Sequence, residues 1–159
     1  MANSLSRTGK DIAEVYNRHK DMVYRICFAY MKNTADTEDI IQEAFVRLIK
    51  AGTDFTSHEH EKAWLIRTAT NLCKNNFKHW WRKRENIEDH ANLQAQNEFE
   101  IDETFKLIMS LPGKYKTVVY LYYYEGYDSV EISRILSKPQ STVRYLLSNA
   151  RKALREIIM

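Results

Sequence analysis

The stretch DSVEISRILSKPQSTVRYLLSNARKALRE, residues 128–156, decides the fold class. Asp128 and Glu131 have the spacing of a capping box, in which each side chain satisfies the other residue's backbone N–H at a helix start. Val130, Ile132, Ile135 and Leu136 follow at helical steps. Ser137, Lys138 and Pro139 make a short turn, and Pro139 suits the first position of the next helix, where its missing N–H needs no partner. From Gln140 to about Ile157, Val143, Leu146 or Leu147, Ala150 and Leu154 supply a buried stripe beneath a basic face. Helix, three-residue turn, longer basic helix is the outline of a helix-turn-helix.

Working upstream, Tyr115 to Tyr124 predicts a helix stopped by Gly126, and Pro112 with Gly113 separates it from helical spacing over Phe99 to Leu111. Near the N-terminus, Ile12, Val15, Tyr16, His19, Met22, Val23, Ile26, Cys27 and Tyr30 line one face of a long helix. Thr34 is the expected cap of a second helix, with Asp36, Glu38 and Asp39 at its positive end. Ile41, Ala44, Phe45, Leu48 and Ile49 form its apolar face, and Ala51 and Gly52 end it. Thr56 and Glu59 have capping-box spacing and open a third helix, in which Trp64, Leu65, Thr68, Ala69, Leu72, Cys73, Phe77 and Trp80 or Trp81 keep the period. With four Gly and two Pro in 159 residues there is little turn chemistry for a many-stranded fold. The expected fold is all-α, two small helical modules joined by an acidic linker: an N-terminal bundle over 1–84, a linker over 85–97, and a four-helix module carrying the helix-turn-helix over 98–159.

Charge is sorted along the chain although the net value is only +3. Lys62 to Arg84 holds seven basic residues and no acid, Glu85 to Glu103 seven acids and no Lys or Arg, and Lys138 to Arg155 five unopposed basic residues. Two cationic blocks flank one anionic block, which points to a polyanionic partner for the first and last. No apolar run is long enough for a signal peptide or a membrane span, so the expected location is cytoplasmic. Cys27 and Cys73 read as reduced core residues. No phosphate-cradling Gly-rich loop, metal-ligand cluster or paired nucleophile and base is recognisable, so neither catalysis, a metal nor a cofactor is expected, and His58 and His60 read as loop surface.

Three segments in order resemble one family. LPGKYKTVVYLYYYEGYDSVEISRILSKPQSTVRYLLSNARKALRE, from Leu111, is similar to the promoter-reading C-terminal region of extracytoplasmic-function (ECF) sigma factors of the sigma-70 family. DTEDIIQEAFVRLI, Asp36 to Ile49, resembles their polymerase-binding helix, and AWLIRTATNLCKNNFKHWWRKR, Ala63 to Arg84, their strand-melting helix. The sequence departs from the family pattern at Ser141, where Gly is usual, at Leu146 and Asn149, where Arg is frequent, and at Asn75, where Asp is common. The resemblance implies a factor that binds core RNA polymerase and directs it to promoter DNA, with a dedicated anti-sigma protein as a further partner.

On that reading the last helix meets the minus-35 element through Gln140, Ser141, Thr142, Arg144, Tyr145 and Ser148, with Arg151, Lys152 and Arg155 on phosphates. Arg144 is the best base reader, because a guanidinium grips guanine with two bonds. The minus-10 surface would comprise Phe55, His58, Arg67, Asn71, Lys74, Asn75, Lys78, Trp80 and Trp81, cations beside aromatic faces on which unstacked bases settle. Asp36, Asp39, Gln42, Glu43 and Arg47 would dock on the polymerase. The competing readings are a stand-alone helix-turn-helix regulator, which needs only the C-terminal module, and a protein-binding adaptor using the Tyr-rich helix Tyr120 to Tyr124.

Overall fold

Among the residues described by the structure, a computed structural model covering 9–51, 55–84 and 101–158 with side chains omitted at 9–11 and 77–84, there are seven helices and no strand. They are α1 (Gly9–Met31), α2 (Thr34–Ala51), α3 (His58–Arg84), α4 (Glu103–Ser110), α5 (Gly113–Tyr123), α6 (Ser129–Leu136) and α7 (Gln140–Ile158). The expected acidic linker lies outside the described residues.

Helices α1, α2 and α3 pack mutually, because each carries an apolar stripe with no other way out of water. Val23, Ile26, Cys27 and Phe28 meet Ile40, Ala44 and Leu48 on one side and Leu65, Ile66, Ala69 and Cys73 on the other, all at 2% exposure or less. Each fully buried aliphatic side chain contributes about 1.5 to 3 kcal/mol against exposure. Cys27 on α1 and Cys73 on α3 are free thiols, each fully buried. Burial pushes the Cys27 thiol well up, with Cys73 adding to it. At the bundle's edge the buried Glu61 carboxylate accepts from Arg18 and meets His19 Nε2, both at 2.7 Å. Burial lowers the His19 imidazole from its ordinary value, against the pull of Glu61 in the other direction.

Two caps differ from expectation by one residue. The chain leaves α1 through Lys32 at φ 65°, which swings Asn33 rather than Thr34 into the flanking position of α2. Asn33 Oδ1 accepts from the Asp36 amide at 2.9 Å, and its Nδ2 donates to Asp36 and to the Met31 carbonyl. On α3 the cap is Ser57, whose Oγ accepts from the His60 amide at 3.1 Å, while the Thr56 amide donates to His60 Nδ1. His58 and His60 therefore stand on the first turn of a helix, not in a loop.

The C-terminal helices form around Phe105, Ile108, Tyr120, Leu121, Ile132, Val143 and Ala150, all at 1% exposure or less. The Asp128–Glu131 capping box is present in both halves, at 2.8 and 2.9 Å. Ser137 closes α6 in the left-handed region (φ 55°), and Val143 N–H donates to the Pro139 carbonyl, so Pro139 flanks α7 instead of opening it. On α7, Leu147 is buried while Leu146 is only partly so.

The two helical groups are packed on each other: α1 against α4 and α5, α3 against α6. Phe28 meets Phe105 with ring centroids 6.5 Å apart. Arg25 donates to the Tyr120 hydroxyl at 2.8 Å, Tyr120 donates to Glu125 at 2.8 Å, and Lys62 reaches Glu125 at 3.3 Å. The Tyr30 hydroxyl bonds Thr117 at 2.9 Å and the Gly113 carbonyl at 3.1 Å. No described helix is long and apolar enough to cross a membrane.

Candidate nucleic-acid interface

The stripe Val143, Leu147 and Ala150 pins α7 against α5 and α6, which leaves its opposite face outward. Gln140, Ser141, Arg144, Tyr145, Ser148, Arg151 and Lys152 are all exposed there, and Thr142 is half-buried at the margin. Tyr145 is 66% exposed, so an aromatic ring stands in the middle of the cationic face. Arg144 rests on Gln140 Oε1 at 3.3 Å, one turn away. Arg151 is tethered differently: it donates to the Tyr123 hydroxyl at 3.4 Å and lies 5.7 Å from the Tyr122 ring centre. The Tyr123 contact raises its already high pKa. α5 thus holds the Arg151 guanidinium from one side.

The sequence-predicted residues on α3 and just before it fall into four groups. Asn71, Lys74 and Asn75 are exposed together on the middle of the helix. The protein around it, and then the like charge of Lys138 from the helix-turn-helix, lower the Lys74 ammonium. Arg67 is half-buried and donates to the Ile135 carbonyl at 2.7 Å, at the negative end of α6. Phe55 and His58 lie at the N-terminal end, where Phe55 packs edge-on to His60 (5.1 Å) and Trp64 (6.1 Å), leaving Trp64 only partly buried. Lys78, Trp80 and Trp81 fall on the last turns of α3, and their side chains lie outside the described residues.

On α2, Asp39, Gln42, Glu43 and Arg47 are exposed on one face, with Arg47 paired to Glu43 at 3.0 Å. That pairing relieves the Asp39–Glu43 like-charge contact that the four-residue spacing implies. Asp36 is half-buried and held by Asn33, so it acts first as part of the helix start.

Sequence reasoning missed two features. A groove of about 700 Å³ runs between α1 and α2, past Gln42, and its apolar walls include Tyr16, Val46 and Ile49. These three are 41%, 40% and 50% exposed, so Tyr16 and Ile49 are not the core residues their spacing predicts. The signal was the width of the α2 apolar set: Ile41, Phe45, Val46 and Ile49 cover more than the stripe one neighbouring helix can hide. The second is the set of polar contacts between the two helical groups, which no local pattern announces.

Two family models match the chain: Sigma-70 region 2 over residues 15–86 and Sigma-70, region 4 over residues 102–154. The ECF RNA polymerase sigma factor SigW of Bacillus subtilis (strain 168) is 29% identical over 167 residues, covering 92% of this chain and 86% of that protein. The RNA polymerase sigma factor SigV of the same organism is 28% identical, covering 86% and 84%. Among solved structures, CnrH in complex with the cytosolic domain of CnrY superposes with a TM-score of 0.71 at 18% identity, over 99% of this chain and 93% of that one. The sigma factor RpoE in complex with the anti-sigma factor NepR from Bartonella quintana gives 0.68 at 18% identity, over 94% and 97%. With the two matched regions in this order over most of its length, the chain belongs to the ECF class of the sigma-70 family.

Proposed function

We propose that this chain binds core RNA polymerase and directs it to promoters, with α2 on the polymerase, α7 at the minus-35 element and α3 at the minus-10 element. The observation that carries the reading is the outward face of α7, where Arg144 and Tyr145 stand clear of the core on a helix whose opposite stripe is locked down. A major groove takes such a helix with its N-terminal turns against base edges. Asn71, Lys74 and Asn75 on α3 offer the polar and cationic contacts a displaced strand needs. The outward face of α2 and the apolar groove beside it supply a surface for protein. On this reading the chain works in the cytoplasm and acts by binding, without chemistry of its own. The solved relatives are held by CnrY and by an anti-sigma factor, and we assign this chain a comparable inhibitory partner.

The docked arrangement bears on the same reading. Two promoter elements about 25 base pairs apart are separated by roughly 85 Å of duplex. Here Arg67 of α3 touches α6 directly. The two helical groups must therefore part when both elements are engaged.

Run-off transcription with core polymerase tests the proposal: the chain plus core enzyme initiates at defined sites, and neither does so alone. Tight, specific duplex binding by the free chain would instead favour the stand-alone regulator. Arg144→Ala is expected to change promoter choice by about 1 to 3 kcal/mol of discrimination at one base pair. Equal loss at every sequence would remove Arg144 from the reading face.

A further inference from the structure

The tyrosines at the end of α5 have two different fates. Tyr120 gives its hydroxyl to Glu125, and Tyr124, just past the helix, gives its own to Asp102, so both are tied into the polar frame of the fold. Tyr122 and Tyr123 serve α7 instead. Arg151 Nε donates to the Tyr123 hydroxyl at 3.4 Å, and the guanidinium carbon stands 5.7 Å from the centre of the Tyr122 ring. The two rings brace each other edge to face, 4.9 Å apart. Tyr123 is 48% exposed, so its ring is not placed there for burial. Among the described residues no carboxylate pairs with Arg151, so neutral groups hold it and its charge stays uncompensated. Lys152, the next cation along the helix, is exposed and has no hydrogen bond, ion pair or ring contact among the described residues. Arg151 is held; Lys152 is not.

We propose that Tyr122 and Tyr123 are positioning residues for the duplex contact of α7: together they hold Arg151 in the pose in which its terminal nitrogens meet a backbone phosphate. An unheld arginine on a helix surface samples many rotamers and gives that freedom up on binding, which costs about two- to tenfold in affinity. Here α5 has already restricted the side chain. The donor used is Nε, and the rest of the guanidinium's donors sit on the terminal nitrogens, the fork that grips phosphate with two bonds. A ring face is a suitable brace, because it attracts the cation without neutralising it. Both helices belong to the same helical group, so the arrangement survives the parting of the two groups. The inference rests on the promoter reading of α7 and adds to it the part played by α5.

Equilibrium binding of a promoter duplex by the full chain with core polymerase, measured over a range of salt, tests the proposal. Arg151→Ala is expected to weaken binding and to reduce the slope of log affinity against log salt by about one. Tyr123→Phe removes only the hydroxyl, and is expected to weaken binding about two- to tenfold with slope and sequence preference unchanged. Tyr122→Leu should do the same. The deciding measurement is a double variant: Tyr123→Phe added to Arg151→Ala should cost nothing further, while added to Lys152→Ala it should cost its full amount. A tyrosine loss that persists without Arg151 overturns the proposal, since the ring would then act through the fold or on DNA by itself. A Tyr123→Phe chain that binds more tightly than wild type also overturns it, because the tyrosine would be withholding the guanidinium. If Tyr122→Leu loses helix content by circular dichroism, Tyr123→Phe alone decides. A wild-type chain that holds no promoter duplex with core polymerase overturns the promoter reading and this inference together, whereas tyrosine variants that match a binding wild type overturn the inference only.

Discussion

Helices α3 and α7 are both long, basic and assigned to DNA, yet they present themselves in opposite ways. α7 turns its cations to solvent and keeps only an apolar stripe for its neighbours. α3 is packed on both flanks: its apolar positions face α1 and α2, while Arg67 is spent on the α6 carbonyl and Lys74 lies near Lys138. One surface is ready as it stands; the other becomes fully available only after the second helical group moves away. If α7 meets duplex and α3 a displaced strand as proposed, the first contact needs no rearrangement and the second does.

The sharpest way to break the contrast is through the bundle. Leu65 lies fully buried on α3, so Leu65→Ala is expected to cost about 3 kcal/mol, seen as a lowered urea midpoint, because a cavity opens under the helix. A value near that of a surface substitution would show that α3 is not anchored as described. Glu125→Ala removes the acceptor shared by Lys62 and Tyr120, and is expected to weaken docking by about 2 kcal/mol. It should strengthen binding of a single-stranded minus-10 oligonucleotide by α3 while leaving duplex contact by α7 unchanged. If both affinities move together, the two helices are not independently exposed.

Asp128→Ala takes away one half of the α6 capping box and should cost about 1 kcal/mol in thermal unfolding. The smallest expected effect is electrostatic. Lys152→Ala should weaken duplex binding evenly across sequences and reduce the slope of log affinity against log salt by about one. An unchanged slope would mean that Lys152 meets no phosphate.

The helix-turn-helix was legible because its signals are local: Asp128 and Glu131 three apart, an apolar period, a proline in the turn. Two other helix starts slipped by one residue where adjacent side chains competed for the cap, Asn33 with Thr34 and Ser57 with Thr56. A left-handed Lys32 decided the first, and nothing in a lysine's type foretells that conformation. The outward residues of α7 were readable because its stripe is narrow, whereas Tyr16 and Ile49 looked like core and line an open groove. Least legible were the contacts joining the two groups. Lys116 and Ala29 are 87 positions apart, and a lysine in an apolar run gives no local sign that it will be buried against the end of another helix.

The two buried thiols inside the bundle hold a practical consequence. Cys27 and Cys73 have no surface of their own, so a soluble alkylating reagent reaches them only when α1 and α3 come apart. Their modification rate is thus an intrinsic gauge of how often the bundle breathes, readable by mass spectrometry without adding any label to the chain.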